Sequence, residues 1–440
     1  MLKRFSLLAL ALLLFLTGCA GFTGGSEGTQ ASEGKTEDGK VKIDFWTFWG
    51  SEIRRPVIHK IIEDFNNSQD EIVVEHTYIP FGDIWTKELA AIAANNPPDV
   101  VINDINATAL RGQEGQAENL APYLEKDDIS GRFYENLWDA TLYEGDSYGI
   151  PFNTDTRLLF YNKDAFKEAG LDPNKPPETW EELEEYAEKL DKKSGDTYER
   201  IGFYPLYGVG SDVWLLNGSG MNYFNDKDEP VINSETNVDT MEWIKSWKDK
   251  YGEDTINRYQ SQIDSQQSNP FFNGSLGMMA NAATFYTQIR DYASDLDFGV
   301  APLPEKTSGS GNTSWGGGFV AEIPKGSSHP DEAWEFINYL TDKEAQEYWA
   351  VKNFDNVANI EASESAAASD ELSKKDQMVY EMAAQNLNET LLTPMPAYAP
   401  DYVNLINPQL DAILIENEPA QEALDKAQQD VEELVEKTAQ

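Results

Sequence analysis

The pattern that most restricts the fold lies between Val41 and Ile102, where short apolar runs alternate with stretches of helical period. Val41-Lys42-Ile43-Asp44-Phe45-Trp46 alternates in the manner of a strand. Val57, Ile58, Ile61, Ile62 and Phe65 then fall on one face of a helix. Ile72-Val73-Val74 reads as a second strand, and Ile84, Trp85, Leu89 and Ile92 mark a second helix. Asn96-Pro97-Pro98 stops that helix before a third strand, Asp99-Val100-Val101-Ile102. Strands separated by helices of about a dozen residues predict βαβ units and a mostly parallel sheet, hence an α/β fold.

The residues before this pattern serve export. Lys3 and Arg4 precede an apolar run from Phe5 to Leu16, shorter than the ~20 residues of a membrane span, so residues 1–18 read as a secretion signal. Leu16-Thr17-Gly18-Cys19 resembles the lipobox of bacterial lipoproteins. That resemblance implies cleavage before Cys19 and a diacylglyceryl group on its sulfur, the alternative being an ordinary signal with a stray cysteine. Two acyl chains suffice to hold a protein at a bilayer. Cys19 is the sole cysteine, so burial, not disulfides, must stabilise the fold. Residues 19–40 carry Gly, Ser, Thr and Glu with almost nothing apolar, and are expected to be a flexible tether. From Cys19 onward 422 residues remain, enough for two domains with their own cores.

The formal charge is −43, and about −45 once Lys3 and Arg4 are removed. A field of that sign repels nucleic acid and disfavours strongly anionic ligands, unless a local cation such as Arg111 or Arg157 offsets it. It suits solubility in a salty or alkaline habitat better than it suits recognition. Aromatics reach 12%, with eleven Trp; most must be core, and the surplus fits stacking on sugars.

Further helix signals follow. Thr179 and Glu182 have capping-box spacing ahead of Trp180, Leu183, Tyr186 and Leu190, and Thr341 and Glu344 repeat it after a helix bearing Trp334, Ile337 and Leu340. Asp226 to Pro230 is a polar turn without the glycine and terminal glutamate of a calcium loop. A last amphipathic helix after Pro419 turns Leu424, Ala427, Val431, Leu434 and Val435 inward.

Four blocks then resemble the extracellular solute-binding proteins of carbohydrate ABC importers, the group that includes maltose-binding protein. They are Tyr161-Asn162-Lys163-Asp164 with Pro177-Glu178-Thr179-Trp180-Glu181-Glu182-Leu183; Phe272-Asn273-Gly274-Ser275-Leu276-Gly277-Met278-Met279; Phe298 to Pro304 with Gly316-Gly317-Gly318 and Ala333-Trp334-Glu335-Phe336-Ile337; and the Pro419 helix. The resemblance implies a two-lobed periplasmic-binding-protein-like fold with a hinge and an interlobe ligand cleft. Crossings are expected near Pro151-Phe152-Asn153, Gly277 to Ala280 and Pro324-Lys325-Gly326. The N-terminal lobe would then hold residues 41–152 and 278–325, and the C-terminal lobe 153–277 and 326–440. It also implies a carbohydrate ligand, permease subunits as partners, a monomer, no cofactor and no catalysis.

A sugar needs flat rings under its C–H face and planar amides or carboxylates around its hydroxyls. Past the first strand, Trp46, Trp49 and Glu52 are candidates, with Trp46 and Phe48 equally able to turn into the core. Asn103, Asp104 and Asn106 follow the third strand, where a helix cap is the alternative. The resemblance adds Asp155 after the first crossing, and Phe285 or Tyr286 where many relatives carry a Gly-x-Trp that is missing here. Tyr207, Asp212 and Trp214 lie in a Gly-rich stretch, Trp315 and Gly317 in a run that brings backbone amides near a ligand, and Tyr398 and Tyr402 on a Pro-rich loop; for each, packing is the alternative. His59, His76 and His329 are scattered and receive no role, and no metal set is seen. An exported glycoside hydrolase or a surface adhesion protein are the alternatives in function; no acidic pair stands in a recognisable hydrolase motif.

Overall fold

The computed structural model describes residues 39–225, 227–263 and 268–438, so the signal, Cys19 and nearly all of the tether lie outside the described residues. Two sheets organise the chain. The larger has six strands, in the order Asn356–Val357, Ile150–Thr154, Gly318–Glu322, Val100–Asp104, Val41–Thr47, Ile72–Tyr78. Val41–Thr47 sits at its parallel half, paired with Ile72–Tyr78 on one side and Val100–Asp104 on the other. Alternation does what the sequence predicts, turning Ile43, Phe45 and Thr47 into the interior.

Beyond Val100–Asp104 every pairing is antiparallel, so the sheet is mixed, not mostly parallel. The cause is connectivity: Gly318–Glu322 enters after the chain has left for a second sheet and come back, which frees it from the direction a βαβ unit imposes. That second sheet has three antiparallel strands, with Arg157–Asn162 between Met278–Ala282 and Phe298–Pro302.

These pairings revise the expected crossings. The first falls at Asp155-Thr156, just past Pro151-Phe152-Asn153, which is still within a strand of the first sheet. Gly277 to Ala280 does not return the chain, because Met278–Ala282 pairs with Arg157–Tyr161 of the second sheet. The return comes after Pro302, through Ser314–Trp315, which pairs with Thr390–Leu391. Nor does Pro324–Gly326 lead away, since Phe336 of the following helix, Pro330–Leu340, packs its ring 5.0 Å from Phe45 and 5.2 Å from Phe65. An apolar run identifies a strand but not its partner, which is why order along the chain misassigned residues 278–302 and 330–357.

Helix faces fared better. Helix Arg54–Ser68 buries Val57, Ile58, Ile61, Ile62 and Phe65, and helix Ala420–Thr438 buries Leu424, Ala427 and Val431. Thr179 caps Trp180–Leu190 by accepting from Glu182 N at 3.2 Å, but Glu182 Oε2 accepts from Glu178 N, so the box is half-formed. At the second site the cap moves one residue: Asp342 accepts from Ala345 N, while the Thr341 hydroxyl donates to the Ile337 carbonyl. Helix Ile84–Ala93 departs most, leaving Leu89 41% exposed and turning Glu88 inward.

Candidate ligand-binding site

The chain passes between the sheets at Asp155-Thr156 and again at Ser314 to Gly317, and these passages lie side by side. Asp155 N donates to Gly317 O at 3.2 Å, Gly317 N donates to Asp155 Oδ1 at 2.8 Å, and the Thr154 hydroxyl donates to Gly317 O at 2.8 Å. The approach needs glycine at Gly316 and Gly318, where a Cβ would come within 2.2 Å of Asp155 O and 2.3 Å of Asn153 O. At Gly317 a Cβ would meet only Asn106 Nδ2 and Asp155 Oδ1, both at 4.0 Å. Its missing side chain therefore leaves room among polar groups.

Asp104 ends the third strand and caps the turn after it, its Oδ1 accepting from Asn106 N at 2.9 Å. Asn106 O accepts from Met395 N at 2.8 Å, and Asn106 Oδ1 is buried without a protein partner. From the second sheet comes Arg157, whose guanidinium lies 4.4 Å from the Trp315 ring centroid and 2.7 Å from Asp155 Oδ1. The latter is a charge contact, not an aligned hydrogen bond, since Nη1 has no hydrogen-bond acceptor. Trp315 Nε1 donates to Thr393 Oγ1 at 3.2 Å, fixing the ring from its edge.

Asp212 stands in the first turn of helix Ser211–Ser219. Burial raises its pKa, while its own amide and Arg157 pull the other way. Burial likewise raises Asp104, opposed by Asn106, with the Asp155 charge adding to the rise. Asp104, Asn106, Asp155 and Gly317 thus form one polar wall, next to which stand Arg157, from the second sheet, and Trp315, with Asp212 within electrostatic reach of Arg157. Beside them, at the C-terminal ends of the parallel strands, Phe48 lies 4.8 Å from Phe319 and 5.0 Å from Phe81, with Phe81 53% exposed. A cavity of about 330 Å³ opens next to Asp104, lined also by Trp85, Leu89, Arg111 and Met395. A larger one, about 490 Å³, lies elsewhere among Tyr134, Ile360, Glu364 and Glu381, and includes none of the candidate residues.

Several candidates are packing residues instead. Trp49 is 1% exposed, with its ring 4.3 Å from Trp349 and 4.8 Å from Phe152. Trp46 is half-buried and donates to Asp44 Oδ2. Glu52 is exposed on the loop before the first helix. Asn103 is buried and donates to Glu322 Oε2. Tyr207 and Trp214 are fully buried, donating to the carbonyls of Ile256 and Pro205. Phe285 stacks on Phe272, and Tyr286 packs on Phe298 and Phe354. Tyr402 is 1% exposed against Tyr223 and Phe224, and Tyr398 donates to Asp228 Oδ1. Trp49 shows why: its ring meets Phe152 and Trp349, which lie far off in sequence. Phe81 and Phe319, which the sequence reading does not single out, stand beside Phe48, with Gly316-Gly317-Gly318 just before Phe319.

His59 and His76 do meet, at 3.1 Å, and burial pushes His76 down to about 4, with the His59 charge adding. Among the described residues no group of three or more His, Cys, Asp or Glu could hold a metal ion, and no helix is long and apolar enough to cross a membrane.

Residues 49–347 match the family described as bacterial extracellular solute-binding protein. The arabinooligosaccharide-binding protein of Bacillus subtilis is 24% identical over 362 residues, covering 80% of this chain and 79% of that protein. The sn-glycerol-3-phosphate-binding periplasmic protein of Brucella melitensis is 25% identical over 394 residues, covering 84% and 88%. Among solved structures, CpMnBP1 with mannotriose bound is 28% identical with a TM-score of 0.74, covering 89% of this chain and all of that one. The sugar-binding protein MalE of Xanthomonas citri reaches a TM-score of 0.75 at 22% identity, covering 91% and 98%. The shared architecture is the two-lobed binding-protein fold.

Proposed function

Because the chain belongs to the bacterial extracellular solute-binding proteins, we propose that it captures a carbohydrate between its lobes outside the cell and delivers it to the permease of an ABC importer. It works as a monomer, held to the membrane by lipid on Cys19, with residues 20–40 as the tether. The lobes are the two sheets with their helices, and Asp155-Thr156 and the segment from Ser314 to Gly317 are the hinge passages.

One observation carries this reading: the Trp315 indole, with Arg157 4.4 Å from its centroid, stands at the passage between the sheets, two residues from Gly317, whose amide donates to Asp155 Oδ1 and whose missing side chain faces Asn106. That is the pairing of flat apolar surface and planar polar groups that a sugar ring requires. Open and closed forms interconvert, and a ligand touching both lobes only in the closed form shifts the population toward closure. Arabinooligosaccharide and mannotriose binding by relatives and neighbours supports the ligand class.

Calorimetry of the chain from residue 20 onward, titrated with arabinotriose and mannotriose, tests the reading. At least one should bind, and Trp315→Ala should weaken it about tenfold or more, some 1.4 kcal/mol, without lowering the melting temperature by more than a few degrees. Unchanged affinity in Trp315→Ala removes the indole from the site.

A further inference from the structure

Two guanidinium groups stand next to the cleft, and either could turn it into an anion site. Arg111 is already committed. It is buried, with Nε 2.7 Å from Glu322 Oε2 and Nη2 2.5 Å from Glu88 Oε1, inside the wall behind Asn103 and Asp104. Two carboxylates to one guanidinium leave no positive charge there to offer a ligand.

Arg157 lies at the passage between the sheets, and its surroundings hold it too. Asp155 takes its charge at 2.7 Å, Trp315 takes its face at 4.4 Å, and Asp212 acts on it from the second lobe. Asp155 in contact and Asp212 within electrostatic reach set two carboxylates against one guanidinium. A phosphate or carboxylate ligand would have to break the Asp155 contact and then sit among like charges, each unscreened to the degree that the site is dry.

The geometry points to Asp155 as the residue that sets charge selectivity: by neutralising Arg157 it restricts the cleft to uncharged saccharides and excludes phosphorylated and uronic-acid ligands. This rests on the carbohydrate reading above and narrows it, and it separates this chain from the sn-glycerol-3-phosphate-binding relative. Asp155 is a suitable residue to test because its two tasks separate. Its Oδ1 accepts from Gly317 N at 2.8 Å, which an asparagine carbonyl oxygen can also do, whereas only the carboxylate cancels a charge.

The experiment compares wild type, Asp155→Asn, and Asp155→Asn with Arg157→Gln by calorimetry. The probes are arabinotriose, mannotriose, sn-glycerol 3-phosphate and trigalacturonate. Wild type should bind a neutral trisaccharide and neither anion. Asp155→Asn should raise the anion-to-neutral affinity ratio about tenfold or more, and Arg157→Gln should abolish that gain. A purely structural role for Asp155 would weaken all ligands alike and leave the ratio fixed, which would overturn the assignment. So would a wild type that takes either anion as tightly as the neutral sugars. Binding of neutral sugars with an unmoved ratio defeats only the assignment; binding of none of the four defeats the carbohydrate reading and the assignment with it.

Discussion

Trp49 follows a strand end, as cleft aromatics do, yet it closes the core: Phe45, Phe152 and Trp349 surround it, and 1% of it is exposed. Replacing it empties a large buried volume, so Trp49→Ala should cost about 3–5 kcal/mol of stability. Urea unfolding should show a lower midpoint at unchanged slope. Ligand affinity of the folded protein should move by less than about threefold. A stability loss under about 1 kcal/mol with a large loss of affinity would return Trp49 to the cleft. The contrast with Trp315 marks what sequence can show about a site. Glycines follow Trp315, a run expected to bring backbone amides near a ligand; in the structure it runs against the chain's own backbone, where a Cβ at Gly316 or Gly318 would come within 2.2 Å of Asp155 O or 2.3 Å of Asn153 O. No comparable local mark separates Trp49 or Trp214 from a ligand platform, because what packs on them includes Trp349 and Trp180, remote in the chain.

Elements were legible where one face repeats, as in Arg54–Ser68 and Ala420–Thr438; strand partners were not, since pairing is a property of two distant segments. Helix Ile84–Ala93 broke the rule because its inward position is a glutamate. Glu88 is fully buried against Arg111 and close to Glu322, with its Oε2 unpartnered. Burial pushes its pKa up to about 7, the Glu322 charge adding and Arg111 opposing. The carboxyl therefore keeps its proton to a higher pH when folded than when unfolded. Between the unfolded value near 4.5 and about 7 the folded state holds more protons, so stability falls as pH rises through that window. Glu88→Gln removes the titration and leaves Arg111 with Glu322. Relative to wild type it should gain stability as pH climbs from about 5 to 8, by roughly 3 kcal/mol at most. Melting curves across that range check it; a difference independent of pH would show that Glu88 is ionised throughout.

At the scale of the whole molecule, 77 acidic residues face 34 basic ones, and the described ion pairs include many short-range ones on helix surfaces, such as Lys60 with Asp64 and Lys426 with Asp430. Such exposed pairs contribute about 0–1 kcal/mol each, while the acidic residues outnumber the basic ones more than twofold. Like charge held in a compact shape repels itself, and the lobe closure proposed above brings more of it together. Salt shortens the reach of that repulsion from ~10 Å at 0.1 M toward ~3 Å at 1 M. Raising sodium chloride from low to high concentration should therefore increase the melting temperature and tighten binding of a neutral sugar together. Surface pairs, being attractive, would respond in the opposite sense. A melting temperature that falls with salt would mean that the cations are placed well enough to outweigh the excess of carboxylates, and that the charge of −43 is no burden on the fold.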